Sequence, residues 1–228
     1  MSRPHVVVHT LVSVDGRTDH VAADVGLYYE LAGRLPHDAV LTGSATLRAA
    51  ATAEGIDLDA ADAPPGDDRP AASTEAPLLV VVDSRGQLTR FDWLRAVPYW
   101  RDLLVACSTS TPAGHLERLA RQRVEHVVVG EQRVDLASLL DVLARDHGVR
   151  RVRVDSGGSL SGALLRAGLI DEISLMIGPY AVGGRSPASL FVADDLADGG
   201  VVGLELTALE RLAGGVVWLR YAVTPSDR

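Results

Sequence analysis

Short unbroken runs of aliphatic and β-branched residues recur along this chain, and helical patterns separate them. Leu78-Leu-Val-Val-Val-Asp83 is the clearest, and similar runs fall at 103–107, 124–129 and 149–155. They show no alternation of apolar and polar residues, so they read as strands buried on both faces, the signature of a parallel sheet. Residues 5–14 form a first such strand, ended by the turn Asp15-Gly16, and 38–43 form a second. Helical spacing predicts helices over about 25–35, 112–122 and 135–147, with a further helical turn opening at Ser44. The last third changes character. A strand at 171–178 is followed by 201–212 and 216–223, which read as an antiparallel hairpin turning at Gly214-Gly215. The fold class is therefore α/β, a mostly parallel central sheet with flanking helices and an antiparallel C-terminal hairpin.

Residues 52–77 interrupt the series with alanine, aspartate and proline and almost no large apolar side chain. A segment of that kind buries too little to offset its ordering entropy, so a flexible surface loop is expected inside a single domain spanning 1–228.

Composition removes several chemistries. No lysine occurs among the 22 basic residues, which excludes a lysine Schiff base and a phosphate-loop lysine. A single cysteine, Cys107, excludes an internal disulfide and a multi-cysteine zinc site, and the histidines do not cluster at metal spacing. The formal net charge of -8 argues against nucleic acid or an anionic membrane as partner. No apolar run is long enough to span a bilayer and no signal peptide is evident, so a soluble cytoplasmic protein is expected. No G-x-S-x-G elbow is present, which disfavours a serine hydrolase.

What remains collects where strands end. Val152-Arg-Val-Asp155-Ser-Gly-Gly-Ser-Leu-Ser-Gly-Ala-Leu-Leu165 is a strand, a glycine pair and a helix that starts among serines. Backbone amides and a helix N-terminus suit an anion, yet the same pattern serves a plain corner, and the local signal leaves both open. Thr42-Gly43-Ser44-Ala45-Thr46 repeats the theme; capping explains Ser44, while Thr46 has less structural reason to be there. Val82-Asp83-Ser84-Arg85-Gly86 places a serine and an arginine after a strand, a pair that suits a phosphate monoester, although a solvated loop charge is the simpler reading of Arg85. The hydroxyls after Cys107 read most simply as a helix cap. Asp15 reads first as a turn residue and His9 as a packed strand residue. Ligands of open α/β sheets gather at the carboxyl ends of strands, so several such ends together favour a nucleotide crevice.

Taken in order, Ser13-Val-Asp-Gly-Arg17, Asp38-Ala-Val-Leu-Thr-Gly-Ser-Ala-Thr46, Val82-Asp-Ser84, the block from Asp155 to Glu172 and Pro179-Tyr-Ala-Val-Gly-Gly184 resemble the reductase domain of the bifunctional riboflavin-biosynthesis deaminase–reductase. The resemblance covers residues from about 4 to 223, and the Asp155–Glu172 block is its most specific part. It implies a dihydrofolate-reductase-like fold, here in stand-alone form, and an NADPH-dependent reductase acting on the C=N carbon of a pyrimidine ribosylamine phosphate. It implies that Val12 and Thr46 line the nicotinamide and ribose and that Ser84 holds the adenosine phosphate end; Arg85, next to Ser84, suits a 2′-phosphate. Gly157, Gly158, Ser159, Leu160, Ser161, Gly162 and Ala163 match the pyrophosphate loop. Arg34 falls on a substrate-holding arginine, and Asp155 on a substrate-facing glutamate that makes it the catalytic candidate. His9 stands where the family carries a lysine that touches substrate. Ala49-Ala50-Ala51-Thr52 replaces an acidic and proline-containing segment. A homodimer is the family expectation. The alternatives are a pterin or dihydrofolate reductase on the same fold, or a non-catalytic nucleotide-binding module.

Overall fold

Each aliphatic run of the sequence forms a strand in the computed structural model, which describes residues 2–21, 24–60, 73, 75–185, 188–194 and 201–224. The elements, in chain order, begin with β1 (His5–Val12), α1 (Val25–Gly33), β2 (Ala39–Gly43), α2 (Ser44–Ala53) and β3 (Leu78–Val82). Next come α3 (Asp92–Arg95), β4 (Asp102–Cys107), α4 (Ala113–Arg121), β5 (Glu125–Val128) and α5 (Leu136–Asp146). The chain closes with β6 (Arg151–Val154), α6 (Gly158–Arg166), β7 (Glu172–Ile177), β8 (Leu204–Arg211) and β9 (Val217–Val223).

Contacts divide the chain into two compact units. The middle unit is His37–Arg150 with residues 2–4, and the flanking unit is His5–Pro36 with Arg151–Arg228. In the middle unit the strands run in parallel in the order β5-β4-β3-β2. Their apolar runs are buried on both faces, as Leu79, Val81, Leu103, Val105 and Cys107 show, and Phe91 and Leu119 pack on them. Burial holds the Cys107 thiol up at about 11, so it serves as a small core residue.

The flanking unit is ordered β6-β1-β7-β9-β8. β1 lies parallel between β6 and β7, while β9 runs antiparallel to β7 and β8 antiparallel to β9. Helix α1 lays Leu27, Leu31 and the neighbouring Leu35 against Val7, Leu11, Met176 and Trp218. The expected hairpin turns where expected, with Gly214 and Gly215 both at positive φ. Its β8 strand starts at Leu204, later than the pattern suggested, and is exposed along nearly its whole length.

The loop expected over 52–77 begins later than its composition implies. α2 continues through Ala53, and Leu58 packs on the core of the middle unit. The Asp57 and Leu58 carbonyls accept hydrogen bonds from Arg90 and Thr89, so these few anchors offset the ordering entropy of 54–60. Residues 61–72 and 74 of that expected loop lie outside the described residues.

Candidate active site

The flanking unit gathers polar groups at one place. β1, β6 and β7 are parallel, so their C-terminal ends present Val12, Asp155 and Gly178 at one edge of the unit. His9 pairs across β1 and β7 with Ser174, and the alternation of β6 puts Arg153 and Asp155 on one face. The His9 ring is 1% exposed, and both nitrogens are engaged inside the protein. Nε2 lies 3.3 Å from the Tyr28 carbonyl, which only accepts, so the proton sits there. Nδ1, 2.9 Å from Ser174 Oγ, then accepts from the serine hydroxyl, whose oxygen accepts from Trp218 Nε1 at 2.8 Å. Burial lowers the proton affinity of His9 more than the nearby Asp155 charge raises it, and the ring is neutral. His9 is thus a buried, neutral strand residue packed against Tyr28.

Above it, the Tyr28 hydroxyl is shared between the His9 carbonyl at 3.1 Å and Asp155 Oδ1 at 3.0 Å. Burial first, then the Asp155 charge, push the phenol well above its ordinary range, so Tyr28 is a donor throughout the physiological range. Arg153 forks onto the same carboxylate, with Nε at 3.2 and 3.3 Å and a terminal nitrogen at 2.8 Å. Its other terminal nitrogen donates to the Ala32 carbonyl at the end of α1. Arg34, a proposed substrate group, is occupied instead by Glu210 at 2.8 and 3.2 Å and stacks 4.6 Å over the Trp218 ring.

Asp155 leads straight into α6. Aspartates cap α1 and α5 through Leu27 and Ser138 amides, but α6 starts on Gly157 without a side-chain cap and without an acid in its first turn. Gly157 is exposed, and the hydroxyl of Ser161 is buried without a hydrogen-bond partner. An uncapped positive helix end beside an unspent hydroxyl fits an anionic pyrophosphate. Gly158 and Gly162 have a further reason to be glycine. A Cβ on Gly158 would collide with the Ser189 carbonyl, and one on Gly162 with the Val192 carbonyl. Val192 N donates to the Gly158 carbonyl at 2.9 Å, so the 189–192 segment crosses the first turns of α6. Ser159, Leu160 and Ala163 complete those turns.

Asp15 does more than turn the chain. Its carboxylate accepts from Ser13 Oγ at 2.6 Å and from the Val182 and Gly183 amides at 3.0 and 2.7 Å. These bonds hold it far below the ordinary carboxylate range and dock the 178–184 loop to the end of β1.

In the middle unit, Thr46 sits half-buried in the first turn of α2, after the uncapped Gly43. Asp83, buried, accepts from the Gln87 and Leu88 amides at 3.0 and 2.8 Å and so shapes the turn that carries Ser84 and Arg85. Ser84 Oγ accepts from Val134 N, its carbonyl accepts from Thr111 Oγ1, and Arg85 is exposed. Thr111, expected as a helix cap, is thus a staple for the Ser84 turn, while Pro112 stands at the α4 cap position. Arg48, Ala49, Thr52, Asp57 and Gln87 border a pocket of about 380 Å³.

Of the proposed set, His9 and Asp155 meet through Tyr28, and Arg34 is engaged on the hairpin instead. Arg153, Tyr28, Ser174 and Trp218 escaped the sequence reading. Only Arg153 left a signal there, two positions before an acid on an alternating strand.

The model of the family described as the RibD C-terminal domain matches residues 4–218. The chain belongs to the RibD C-terminal domain family. A 2,5-diamino-6-ribosylamino-4(3H)-pyrimidinone 5′-phosphate reductase of Methanothermobacter thermautotrophicus is 31% identical over 211 residues, 86% of this chain and 88% of that one. The reductase of the same name from Archaeoglobus fulgidus is 32% identical over 191 residues, 80% and 84% of the two chains. Among solved structures, a pyrimidine reductase-like protein of Corynebacterium diphtheriae superposes with a TM-score of 0.71 over 98% of this chain and 93% of that chain, at 18% identity. That likeness shows a shared fold. No helix among the described residues of this RibD-type chain is long and apolar enough to cross a membrane.

Proposed function

We propose that this RibD-type chain is an NADPH-dependent reductase acting on the C=N carbon of a pyrimidine ribosylamine phosphate, as a single cytoplasmic reductase domain. The observation that carries the reading is the sequence of Asp155, held by donors on both oxygens, and the uncapped glycine start of α6 directly after it. The names of the two archaeal relatives supply the substrate class.

The cofactor, when bound, supplies a hydride. The amides at the start of α6 and the Ser161 hydroxyl are the groups that would hold its pyrophosphate. Val12 and Thr46 are the proposed neighbours of its nicotinamide ribose, and Ser84 with Arg85 the proposed partners of its 2′-phosphate. Asp155 stabilises the cationic, protonated C=N group that accepts the hydride; the π electrons then pass to nitrogen, leaving a neutral amine. Arg153 partly neutralises the carboxylate, so its contribution is a directed dipole rather than a full charge. Asp155→Asn should lower kcat by about 10- to 100-fold. Arg34 would meet substrate only by exchanging its Glu210 partner, and His9 acts through Tyr28.

The test is NADPH oxidation with the ribosylaminopyrimidine phosphate named for the relatives, with dihydrofolate as control. Turnover with the first alone supports the reading. Turnover with dihydrofolate alone, or tight NADPH binding with neither activity, contradicts it. Titration calorimetry should show NADPH binding more tightly than NADH, with the gap narrowed by Arg85→Ala; equal affinities in the wild type would remove Ser84 and Arg85 from the site. The exposed edge strand β8, carrying Leu204, Leu206 and Leu209, is the proposed surface for a second copy of the chain. Light scattering at a monomer mass at micromolar concentration would refute the dimer.

A further inference from the structure

Arg153 is the one fully buried arginine among the described residues, 6% exposed, between buried Val152 and Val154. Nothing in the packing of β6 asks for a cation there; an aliphatic residue would continue the core. A buried guanidinium is tolerated only where its donors are matched, and desolvation makes such an ion a poor source of stability. Here the matching is specific. One terminal nitrogen takes the Ala32 carbonyl, while Nε and the other terminal nitrogen take both oxygens of Asp155. Tyr28 adds a third donor on Oδ1, and its own placement is fixed by the His9 carbonyl and the 4.5 Å ring contact with His9. The Asp155 side chain keeps 18% of its surface exposed, so a carboxylate clamped from the protein side still shows an edge to solvent.

We propose that Arg153 and Tyr28 are positioning residues that fix the rotamer of Asp155 and aim it at the substrate's C=N group. This rests on the reading of Asp155 as the substrate-facing acid. Three donors from two residues converging on a carboxylate that shows only an edge to solvent give it one orientation instead of several, which is the preorganisation that charge stabilisation at a reacting carbon requires. The rival is that Arg153 merely ties α1 to β6 through the Ala32 carbonyl.

The experiment compares Arg153→Met, Arg153→Lys, Tyr28→Phe and Asp155→Asn in the full chain, reading kcat, substrate KM and NADPH affinity by fluorescence titration. Positioning requires kcat to fall about 10- to 100-fold in Arg153→Met and about three- to tenfold in Tyr28→Phe, at unchanged NADPH affinity. Arg153→Lys, which keeps the charge but loses the planar fork of donors, should recover part of that loss. Should Arg153→Met fail to fold, Arg153→Lys and Tyr28→Phe decide the matter, since each retains most of the packing. Wild-type kcat in both would overturn the proposal. Asp155→Asn separates the two levels. If it is impaired while the other variants are normal, positioning alone fails; if it is fully active, the underlying assignment of Asp155 fails as well.

Discussion

Replacing His9 by glutamine separates a supporting residue from one that touches substrate. The folded protein holds the ring neutral, mainly because burial penalises its charged form. The unfolded chain therefore takes up the proton first, near pH 6.5, and the folded chain only at lower pH. Stability is complete above that value and falls as the pH drops below it, by up to about 1.4 kcal/mol per pH unit for this residue. Burial lowers His115 in the middle unit as well, so His9→Gln should flatten the slope without abolishing it. At neutral pH the variant also leaves the Ser174 hydroxyl poorly matched beside Trp218, a cost of roughly 1–3 kcal/mol. Urea denaturation followed by tryptophan fluorescence between about pH 5 and about pH 8 reads both quantities. Substrate KM should stay close to wild type, because His9 reaches Asp155 only through Tyr28. An unchanged slope would refute the neutral buried ring, and a large rise in KM would return His9 to direct contact.

Three further outcomes are expected. Gly162→Ala should lower stability by about 1–3 kcal/mol and weaken NADPH binding, because the new methyl meets the Val192 carbonyl; an unchanged melting temperature would contradict that crossing. Leu31→Ala, on the fully buried face of α1, should cost about 2–5 kcal/mol in the same denaturation assay. Asp15→Asn should make the 178–184 loop more susceptible to limited proteolysis. Because the native carboxyl titrates far below its unfolded value, the wild-type contribution is present above about pH 4 and lost below it, and the variant should lack that acid dependence.

The architecture was legible because continuous aliphatic runs and leucines three and four apart report burial directly, and β3, β4 and α5 formed within a residue or two of their patterns. The 54–60 segment was not, since its order depends on Thr89 and Arg90, residues distant in sequence that accept or donate nothing recognisable in advance. The same holds for the site. Asp155 and the α6 glycines stood out because strand, glycine pair and helix start are consecutive. The donors that hold Asp155 come from β6 and α1, and the Ser174–Trp218 pair under His9 comes from β7 and β9, so only the fold brings them together. Even the glycines carried a hidden half of their meaning, since the 189–192 segment that needs their missing side chains lies about thirty residues downstream.

The most direct test of the account follows the hydride itself. The full chain would be incubated with NADPH deuterated at its transferable position and the ribosylaminopyrimidine phosphate, and the product examined by mass spectrometry. The account requires one deuterium on the former C=N carbon, with the rate of labelling reduced in Asp155→Asn. Labelled NADPH left unconsumed under binding conditions, or label lost to solvent, would contradict it.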